Sequence, residues 1–395
     1  MTADSIVIVG MSRTPMGGFQ GDFASVTAPE LGAVAIKGAL DEAAIAPKDV
    51  DETYMGCVLP AGIGQAPARQ ASVGAGIPLS TPCVTVNKMC GSGMETVILA
   101  HNAISAGAAD IIVAGGMESM SNAPYLLTKM RSGARIGHTD AKDHMFLDGL
   151  EDAYDKGKLM GVFAEKTAEK YGFSREDQDQ FAISSLSRAN NAIEKGYFKR
   201  EISPVTVSSR QGDIIIDTDE QPGKARIEKI PTLRPAFAKD GSVTAANSSS
   251  ISDGASAVVM MKLSEAEKRG LKPIAKIIGH SVHAQEPNWF TTAPVGAMKK
   301  LYDKTGWTDK DVDLYEINEA FAVVTMAAMH DLNISHDKVN VHGGACALGH
   351  PVGSSGSRII ITLIAALQKH GKKRGIASLC IGGGEATAVA VELME

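Results

Sequence analysis

The sequence predicts an α/β protein built from two similar halves, and three observations support this prediction. Patterns typical of buried strands alternate with patterns typical of helices along most of the chain. The order strand, glycine-rich turn, helix, short loop, strand and double glycine occurs around residue 90 and again around residue 350. The chain has 395 residues, more than the roughly 150 of a typical domain. We therefore expect two α/β halves packed together with their sheets buried.

The N-terminal half is predicted to cover residues 1–120 and to be completed by a segment at about 251–270. Its strands are short apolar runs, and its helices show apolar residues at steps of three and four. The strands are predicted at 5–10, 81–86 and 109–116, and the helices at 28–45 and 91–106. Gly107 is the stop signal of the second helix.

The C-terminal half is predicted over 271–395 and repeats this order. "KVNVHGG" at 338–344 is typical of a strand, and "SSGSRIIITLIAALQKHG" at 354–371 is typical of a helix that ends at its last glycine. "GIASLCIGGG" at 375–384 predicts a further strand. Because each half places a glycine-rich turn between a strand and a helix, we expect the strand ends of the halves to face each other.

Residues 121–250 break this alternation and predict an inserted loop domain in the first half. Met, Ser, Lys and Gly become frequent there, and a polar helix follows with Ser174 and Asp177 as its capping signal. Loops of this length are uncommon in compact domains unless they have a function. We therefore expect the insertion to cover a ligand.

Charge and composition exclude several classes of partner. The formal net charge is −6 with both signs interspersed, so the chain lacks the basic surface that nucleic acid or an anionic membrane requires. No apolar run approaches the roughly 18 residues that span a bilayer, and the first residues lack a secretory or transit pattern. We expect a cytoplasmic protein with neither nucleic acid nor membrane as partner.

The cysteines predict free thiols. There are five, an odd number without a CxxC pair, and they lie far apart in the sequence at Cys57, Cys83, Cys90, Cys346 and Cys380. This pattern fits neither a disulfide framework nor a zinc site. We therefore expect five free thiols.

Cys90 is a candidate nucleophile. In "VNKMCGSGMETV" it lies between a predicted strand and a predicted helix, with Gly91 and Gly93 directly behind it. At the start of a helix its sulfur would face free backbone N–H groups and the positive end of the helix dipole, which favour the thiolate. The alternative is a buried cysteine that only packs in the core.

His350 is the candidate base. In "GGACALGHPVGSSG" it lies among glycines and immediately before Pro351, where the chain can be neither regular helix nor central strand. It is expected to open the second helix as Cys90 opens the first, so the duplication would bring thiol and imidazole within reach of each other. The alternative is a loop histidine paired to a nearby carbonyl.

Two further polar positions occur at predicted strand ends. Cys380 ends a strand in "LCIGGGEA", where three glycines would let backbone N–H groups approach a ligand oxygen. Asn318 and Glu319 lie at a strand-to-helix junction in "YEINEAFA". Core packing is the alternative for the cysteine, and an ordinary helix cap is the alternative for the asparagine.

Taken together, these stretches resemble the thiolase family. The matching runs occur in family order over essentially the whole chain: "NKMCGSGM", "AGGMESMS", "LRPAF", "GSVTAAN", "NEAFA", "GGACALGHPVGSSG" and "CIGGGEA". The resemblance implies a thiolase-like fold, in which two duplicated α/β halves form five layers with an inserted loop domain. Length and insertion look like the short-chain, biosynthetic type, which implies an acyltransferase with acetyl-CoA C-acetyltransferase activity.

The reaction that this resemblance implies is a reversible Claisen condensation of two acetyl-CoA to acetoacetyl-CoA and CoA. Cys90 would form an acetyl-cysteine intermediate, His350 would take the thiol proton, and Cys380 would deprotonate the second acetyl-CoA. One oxyanion hole would consist of His350 and a water held by Asn318, and the other of the N–H groups of Cys90 and Gly382. The resemblance implies no metal and no cofactor besides the CoA thioester substrates.

The resemblance also implies residues that contact acyl-CoA along the pantetheine channel or near the phosphates. They are Ser249, Phe237, Phe321, Met160, Leu159 and Lys224. Core packing is the alternative for the two phenylalanines, and a solvated charge is the alternative for Lys224.

The chain departs from the family pattern at several positions. Leu159 stands where histidine is frequent, Glu385 where methionine is frequent and His342 where asparagine is frequent. Trp289 and Phe290 lie in a segment that borders the acyl pocket in the family. These departures leave the preferred acyl length open, and a bulky aromatic there would exclude long acyl groups.

Three other interpretations share this resemblance. A degradative 3-ketoacyl-CoA thiolase of β-oxidation has every catalytic residue in common with the biosynthetic type. A non-catalytic thiolase-fold protein that binds acyl-CoA or lipid is disfavoured because the four catalytic positions are all retained. A ketoacyl synthase is disfavoured because a second cysteine, Cys380, occupies the late position. The family also implies a homotetramer, a dimer of dimers.

Overall fold

The computed structural model of the protein describes residues 4–210 and 212–394. Its strands are β1 (Ile6–Arg13), β2 (Gly17–Gly18), β3 (Glu52–Gly56), β4 (Cys83–Val86), β5 (Ile111–Ser119), β6 (Tyr125–Leu126), β7 (Lys142–Asp143), β8 (Val205–Ser209), β9 (Gly212–Ile216), β10 (Ser252–Lys262), β11 (Ala275–Ala284), β12 (Leu314–Ile317), β13 (Arg374–Ile381) and β14 (Glu385–Leu393). Its α-helices are α1 (Ala28–Ala43), α2 (Pro67–Gly74), α3 (Ser92–Ser105), α4 (Met160–Tyr171), α5 (Arg175–Glu194), α6 (Glu220–Lys224), α7 (Leu263–Lys268), α8 (Ala293–Thr305), α9 (Ala322–Leu332), α10 (Ala345–Leu348) and α11 (Ser355–His370).

The order of the strands shows the duplication directly. It runs β12-β13-β14-β11-β1-β10-β5-β3-β4, with β2 added to β10. In the first half β3 is parallel to β5, and β5, β10 and β1 follow as antiparallel neighbours. In the second half β12 is parallel to β13, and β13, β14 and β11 follow in the same antiparallel way. A short antiparallel pairing of β1 with β11 joins the halves.

Helices and sheets alternate in five layers. Helices α3 and α11 pack against each other in the central layer, and each also contacts the sheet of its own half. Helices α1 and α2 cover the outer face of the first sheet, and α8 covers the outer face of the second. The central helices bury apolar side chains on both sheets, among them Met94, Val97, Ile360 and Leu363. The predicted α/β fold with two similar halves is therefore confirmed.

Most predicted strands and helices are confirmed to within about three residues, but one is wrong. Residues 338–344 form no strand, and Val339 makes only a single bridge to Tyr315. Asn340 has a φ of 48°, in the left-handed region that ends an extended run. Its side chain replaces the missing ladder: Ile317 N–H donates to Asn340 Oδ1 at 2.9 Å, and Asn340 Nδ2 donates to Ile317 O at 2.8 Å.

The inserted segment is more regular than its sequence predicted. Helix α4 packs on α9 and helix α5 packs on α10, so both helices lie against the second half. The predicted cap of α5 is confirmed, since Asp177 N–H donates to Ser174 Oγ at 3.1 Å and Ser174 N–H donates to Asp177 Oδ2 at 3.0 Å. Among the described helices, none combines the length and apolar character needed to cross a membrane. The boundaries of the three predicted units stay a prediction.

His342 follows the irregular segment and is buried in an aromatic cluster. Its Nε2 lies 3.1 Å from Nε2 of His370, and its ring contacts Tyr197 and Phe198. Burial lowers the pKa of His342 to about 4, and the charges of His370 and Lys369 act in the same direction. The side chain is therefore neutral in the native state at neutral pH.

We expect the His342→Asn variant to lose less stability than the wild type when the pH is lowered into the mildly acidic range. The ordinary pKa of histidine is about 6.5, so between that value and about 4 the unfolded chain binds a proton that the native state does not bind. The stabilisation by neutral His342 is thus complete above about pH 6.5 and is lost as the pH falls. Between about pH 7 and pH 5.5 the wild type should lose roughly 1 kcal/mol more than the variant.

Urea unfolding at these two pH values measures this difference. The exposed His138 offers a matched control, because His138→Asn makes the same substitution at an exposed histidine instead of a buried one. Equal pH dependence of the wild type and His342→Asn would contradict the expectation.

Candidate active site

A cavity of about 220 Å³ lies where the two halves and the inserted segment meet. Its lining is mostly apolar, with a thiol, an imidazole and a few hydroxyl groups as polar features, which is typical of a small-molecule site. The lining residues are Cys90, Met120, Phe146, Gly149, Leu150, Leu159, Met160, Gly161, Phe237, Ser248, Ser249, Ser250, Ile251, Phe290, Ala320, Phe321, His350, Val352 and Gly382.

Cys90 lies in the cavity wall, two residues before α3 begins at Ser92. The preceding residue, Met89, has a φ of 47°, an uncommon conformation for a residue other than glycine. The chain thus turns sharply between β4 and α3, and the thiol projects from this turn. The predicted position of the thiol at the start of a helix matches the structure.

The backbone N–H groups at this position favour the thiolate, as expected, but burial outweighs them in the free protein. Burial raises the pKa of Cys90, and the backbone N–H groups of Gly382 and of Cys90 itself oppose this shift without reversing it. The negative charge of Glu118 adds to the increase. The resting thiol is therefore protonated and needs a base.

The glycines around the thiol let the two halves approach closely. A Cβ at Gly91 would lie only 2.4 Å from Cδ1 of Ile381, which belongs to β13 of the other half. Gly382 follows Ile381 directly, and its N–H group reaches the Cys90 sulfur. A backbone donor from the C-terminal half thus stands at the thiol of the N-terminal half.

His350 lines the same cavity, although it does not open a helix as predicted. Helix α11 begins at Ser355, and the residues between form a turn that contains Pro351. The backbone N–H of His350 donates to Ser250 O at 3.2 Å. The two candidate groups are therefore brought to one cavity, as the duplication predicted.

The hydrogen bonds of His350 select its tautomer. Ser355 Oγ–H donates to Pro351 O at 3.1 Å and can therefore accept the Nδ1–H of His350 at 2.6 Å. The lone pair of the neutral ring is then on Nε2, which is buried and has no partner among the described residues. Burial lowers the pKa of His350 to about 3, and the charge of Arg358 acts in the same direction. The ring is a neutral proton acceptor.

Cys380 is fully buried directly behind the cavity wall. It packs in one cluster with Phe290 and Phe321, which both line the cavity. Burial raises the pKa of Cys380 well above its ordinary value, and the nearby Cys90 acts in the same direction. A second protonated thiol is thus held close to the first.

Asn318 follows β12 and is also buried. The interpretation as a helix cap is wrong, because α9 begins at Ala322 and its N-cap is Phe321. Arg358 donates to Asn318 Oδ1 at 3.4 Å, and Asn318 Nδ2 has no partner among the described residues. The amide therefore has a free donor, as the imidazole has a free acceptor.

The structure brings most of the predicted CoA-contacting residues to the cavity. Its wall includes Ser249, Phe237, Phe321, Met160 and Leu159. The rings of the two phenylalanines meet edge to face, with centroids 6.0 Å apart. They are thus both core residues and wall residues.

Lys224 and Trp289 are not brought to this cavity. The amino group of Lys224 pairs with Glu220 and lines a separate groove. The ring of Trp289 lies under Lys170, 4.2 Å from the ammonium nitrogen, whereas its neighbour Phe290 lines the cavity.

Sequence reasoning missed several residues of the site. Phe146 and Leu150 close one side of the cavity from a single π-helical turn, which has no sequence signature. Ser355, which orients His350, lies in a quoted motif but was given no function. Glu118 could have been noticed as the one acidic residue within the apolar strand "IIVAGGMES".

The described residues also bear on disulfides and metals. All five cysteines are free. Within residues 4–210 and 212–394, no group of three or more His, Cys, Asp or Glu side chains is arranged to hold a metal ion.

Comparisons with known proteins identify the family. The model of "Thiolase, N-terminal domain" matches residues 6–264, and that of "Thiolase, C-terminal domain" matches residues 271–393. A relative from Allochromatium vinosum, named acetyl-CoA acetyltransferase, is 46% identical over 393 residues, covering 99% of this chain and 100% of its own length.

Solved structures agree with these matches. The crystal structure of the Bacillus anthracis acetyl-CoA acetyltransferase superposes with a TM-score of 0.97 at 38% identity, covering 99% of each chain. That of the Acat5 thiolase from Ascaris suum in complex with coenzyme A gives a TM-score of 0.93 at 40% identity, covering 99% of this chain and 100% of the other. With both halves matched and the predicted motifs in place, the chain belongs to the thiolase family.

Proposed function

We propose that the protein is an acetyl-CoA C-acetyltransferase that condenses two acetyl-CoA reversibly to acetoacetyl-CoA and CoA. The observation that carries this proposal is that Cys90, His350 and the Gly382 turn line one cavity, with Cys380 directly behind its wall. The name of the Allochromatium vinosum relative supports the same activity. Neither the degradative nor the non-catalytic interpretation is favoured by an observation of its own.

The first half-reaction transfers an acetyl group to Cys90. The Nε2 of His350 takes the thiol proton, and the sulfur attacks the thioester carbonyl of the first acetyl-CoA. The tetrahedral intermediate collapses with release of CoA, which leaves as the thiol after the imidazolium returns the proton. A neutral imidazole with its lone pair on Nε2 is the form that this step needs.

The second half-reaction forms the carbon–carbon bond. Cys380 first gives its thiol proton to Nε2 of the neutral His350, and the resulting thiolate takes a proton from the α-carbon of the second acetyl-CoA. The carbanion attacks the carbonyl carbon of acetyl-Cys90. Breaking the bond to Cys90 releases acetoacetyl-CoA, and the imidazolium returns its proton to the Cys90 sulfur. In the reverse direction, Cys380 acts as the acid, which suits a thiol whose pKa is raised.

Two negative oxygens need donors during this cycle. The backbone N–H groups of Cys90 and Gly382 already point at the sulfur and can serve the tetrahedral intermediate. For the enolate, His350 offers Nε2–H once it is protonated, and the free Nδ2 of Asn318 can hold a water. Donors fixed by the fold stabilise such charges without reorganisation at the moment of reaction.

Coenzyme A extends beyond the catalytic cavity, and we propose a place for its nucleotide end. A second groove shares Ser250 with the cavity and is lined by Lys224, Arg226 and Lys229. Its basic rim is complementary to phosphate groups. Ser249 and Phe321 would then border the pantetheine arm between the two sites. The complex of the Ascaris suum thiolase with coenzyme A supports binding of this ligand class.

We propose that this reaction needs neither a metal nor an organic cofactor. Claisen condensation has no redox step, and the thioester itself acidifies the α-hydrogens. We also infer a cytoplasmic location, because two catalytic thiols must stay reduced.

We infer further that the protein is a homotetramer. Strand β4 lies at the edge of the sheet, and its Val84 is 47% exposed, so another chain can pair with this edge. The segment around β6 and β7 carries further exposed apolar side chains, among them Ile136 and Tyr125. Sedimentation equilibrium should give the mass of four chains, and Val84→Lys should lower it. A wild-type mass near one chain would contradict the inference.

The direct test of the proposed function starts from acetyl-CoA alone. Purified protein should release CoA and form acetoacetyl-CoA, followed through its enolate absorbance. Iodoacetamide should abolish both signals by alkylating the active-site thiol. A protein that binds acetyl-CoA but releases no CoA would refute the proposal.

A further inference from the structure

Glu118 is a buried carboxylate of β5 that the proposed reaction does not use. Its Oε2 accepts the N–H groups of Val58 and Gly353, each at 2.9 Å. Its Oε1 accepts Leu59 N–H at 3.1 Å and the Cys57 thiol at 3.6 Å. Burial raises the pKa of Glu118 to about 7, while these four donors lower it. Four donors therefore converge on one side chain that has no exposed surface.

These donors come from both halves of the molecule. Three of them belong to residues 57–59, which follow β3 in the N-terminal half. The fourth, Gly353 N–H, belongs to the turn that carries His350 in the C-terminal half. One carboxylate thus bonds the two halves to each other behind the cavity.

The turn of His350 is also docked closely onto the N-terminal half. A Cβ at Gly116, Gly56 or Gly93 would lie 1.9, 2.7 or 3.0 Å from the carbonyl oxygen of Gly353. Side chains at these three positions would push the turn away. Ser256 Oγ–H donates to Ser354 O at 3.0 Å and so adds a further bond between the halves.

The same segments hold the thiol. Val58 and Leu59 pack in one cluster with Met89, Cys90 and Val352. Residues 57–59 therefore contact the turn that carries the nucleophile, and Val352 belongs to the turn that carries the base. A displacement of either partner of Glu118 would change the separation of thiol and imidazole.

We propose that Glu118 is a positioning residue that fixes the imidazole of His350 relative to the thiol of Cys90. The inference rests on the proposed function, since it assigns these two groups to one proton transfer. A carboxylate suits this purpose because it only accepts, whereas a glutamine would turn an NH₂ group toward incoming N–H donors. The expected defect is thus loss of alignment rather than loss of a reacting group.

The test is Glu118→Gln, with the rate of Cys90 acetylation by acetyl-CoA followed by rapid quenching and mass spectrometry. We expect the acetylation rate and kcat to fall about 10²-fold, which is typical of a misplaced catalytic group, with KM changed by less than about threefold. Glu201→Gln is the matched control. Glu201 is also buried but bonds Arg13 and Thr362, so that variant should lose thermal stability and keep the acetylation rate.

A second variant keeps the proposal testable if Glu118→Gln does not fold. Ser256→Ala removes a hydroxyl that lies 3.0 Å from Ser354 O, 2.8 Å from Ser354 Oγ and 2.6 Å from Ser357 Oγ. This variant should lower the acetylation rate about fivefold to tenfold. The proposal would be overturned if every folded variant among Glu118→Gln and Ser256→Ala is acetylated at the wild-type rate and shows only a lower Tm. Glu118 would then be a structural residue. If the wild type itself is not acetylated, the proposed function fails instead, so the two failures are distinguishable.

Discussion

Replacing Cys90 by alanine should abolish both condensation and thiolysis, with a loss on the order of 10⁴-fold or more in kcat. The reason is that every later step needs the acetyl-cysteine intermediate, and no other thiol can take its place. Cys380 is fully buried behind the wall, and its thiol pKa is raised well above the ordinary value. Mass spectrometry after mixing with acetyl-CoA should therefore show no acetylated protein.

The control for Cys90→Ala is Cys83→Ala. Cys83 is a partly buried free thiol at the edge strand β4 and does not line the cavity. That variant should be acetylated and turn over as the wild type does. Acetylation of Cys90→Ala at the wild-type rate would show that another group is the nucleophile.

Replacing Cys380 by alanine should separate the two half-reactions. Cys90 and His350 keep their positions, so the variant should still form acetyl-Cys90 at a rate close to that of the wild type. Condensation should fall about 10³-fold, within the range that general acid–base groups contribute.

The measurement for Cys380→Ala combines intact-protein mass spectrometry with the rate of acetoacetyl-CoA formation. Stable acetyl-enzyme with stalled product formation is the expected result. Failure of Cys380→Ala to become acetylated would contradict the division of labour between the two cysteines.

Local pattern was sufficient for most of the fold because apolar periodicity decides which segments become strands and helices. The local pattern failed at 338–344. The apolar spacing there is typical of a strand, but a side chain makes the hydrogen bonds that a neighbouring strand would make. Asn340 bonds both backbone groups of Ile317 with its amide. A strand pattern cannot reveal that a side chain replaces these backbone hydrogen bonds, since the bonds depend on a residue 23 positions away.

The position of Cys90 could be predicted from its turn, but its protonation state could not. Backbone N–H groups do lower the pKa of Cys90, but burial raises it by more. Burial of this kind arises only when the two halves of the chain pack against each other in the folded protein. Lys224, which was predicted to contact CoA, shows the same limit of sequence-based prediction. Its amino group pairs with Glu220 on its own helix α6, and it lines a groove separate from the cavity.

Glu118 illustrates what a family motif leaves out. Its run "AGGMESMS" was part of the resemblance, yet the function of the carboxylate emerges only from the four donors that the fold gathers around it. An acidic residue in an apolar strand is nevertheless a readable signal, because a buried carboxylate requires partners.

We expect a preference for short substrates from the walls of the cavity. Its volume is about 220 Å³, and Phe146, Leu150 and Phe290 are among the side chains that line it. A long acyl chain would have to displace packed side chains, so we expect kcat/KM to be lower by about tenfold or more for a long-chain substrate.

The most direct test is CoA-dependent thiolysis of acetoacetyl-CoA and of a long-chain 3-ketoacyl-CoA side by side, followed through loss of the enolate absorbance. We expect kcat/KM for acetoacetyl-CoA to be higher by about tenfold or more. A preference for the long-chain substrate would contradict the biosynthetic assignment and make the protein a β-oxidation enzyme, and no thiolysis of either substrate would contradict catalysis itself.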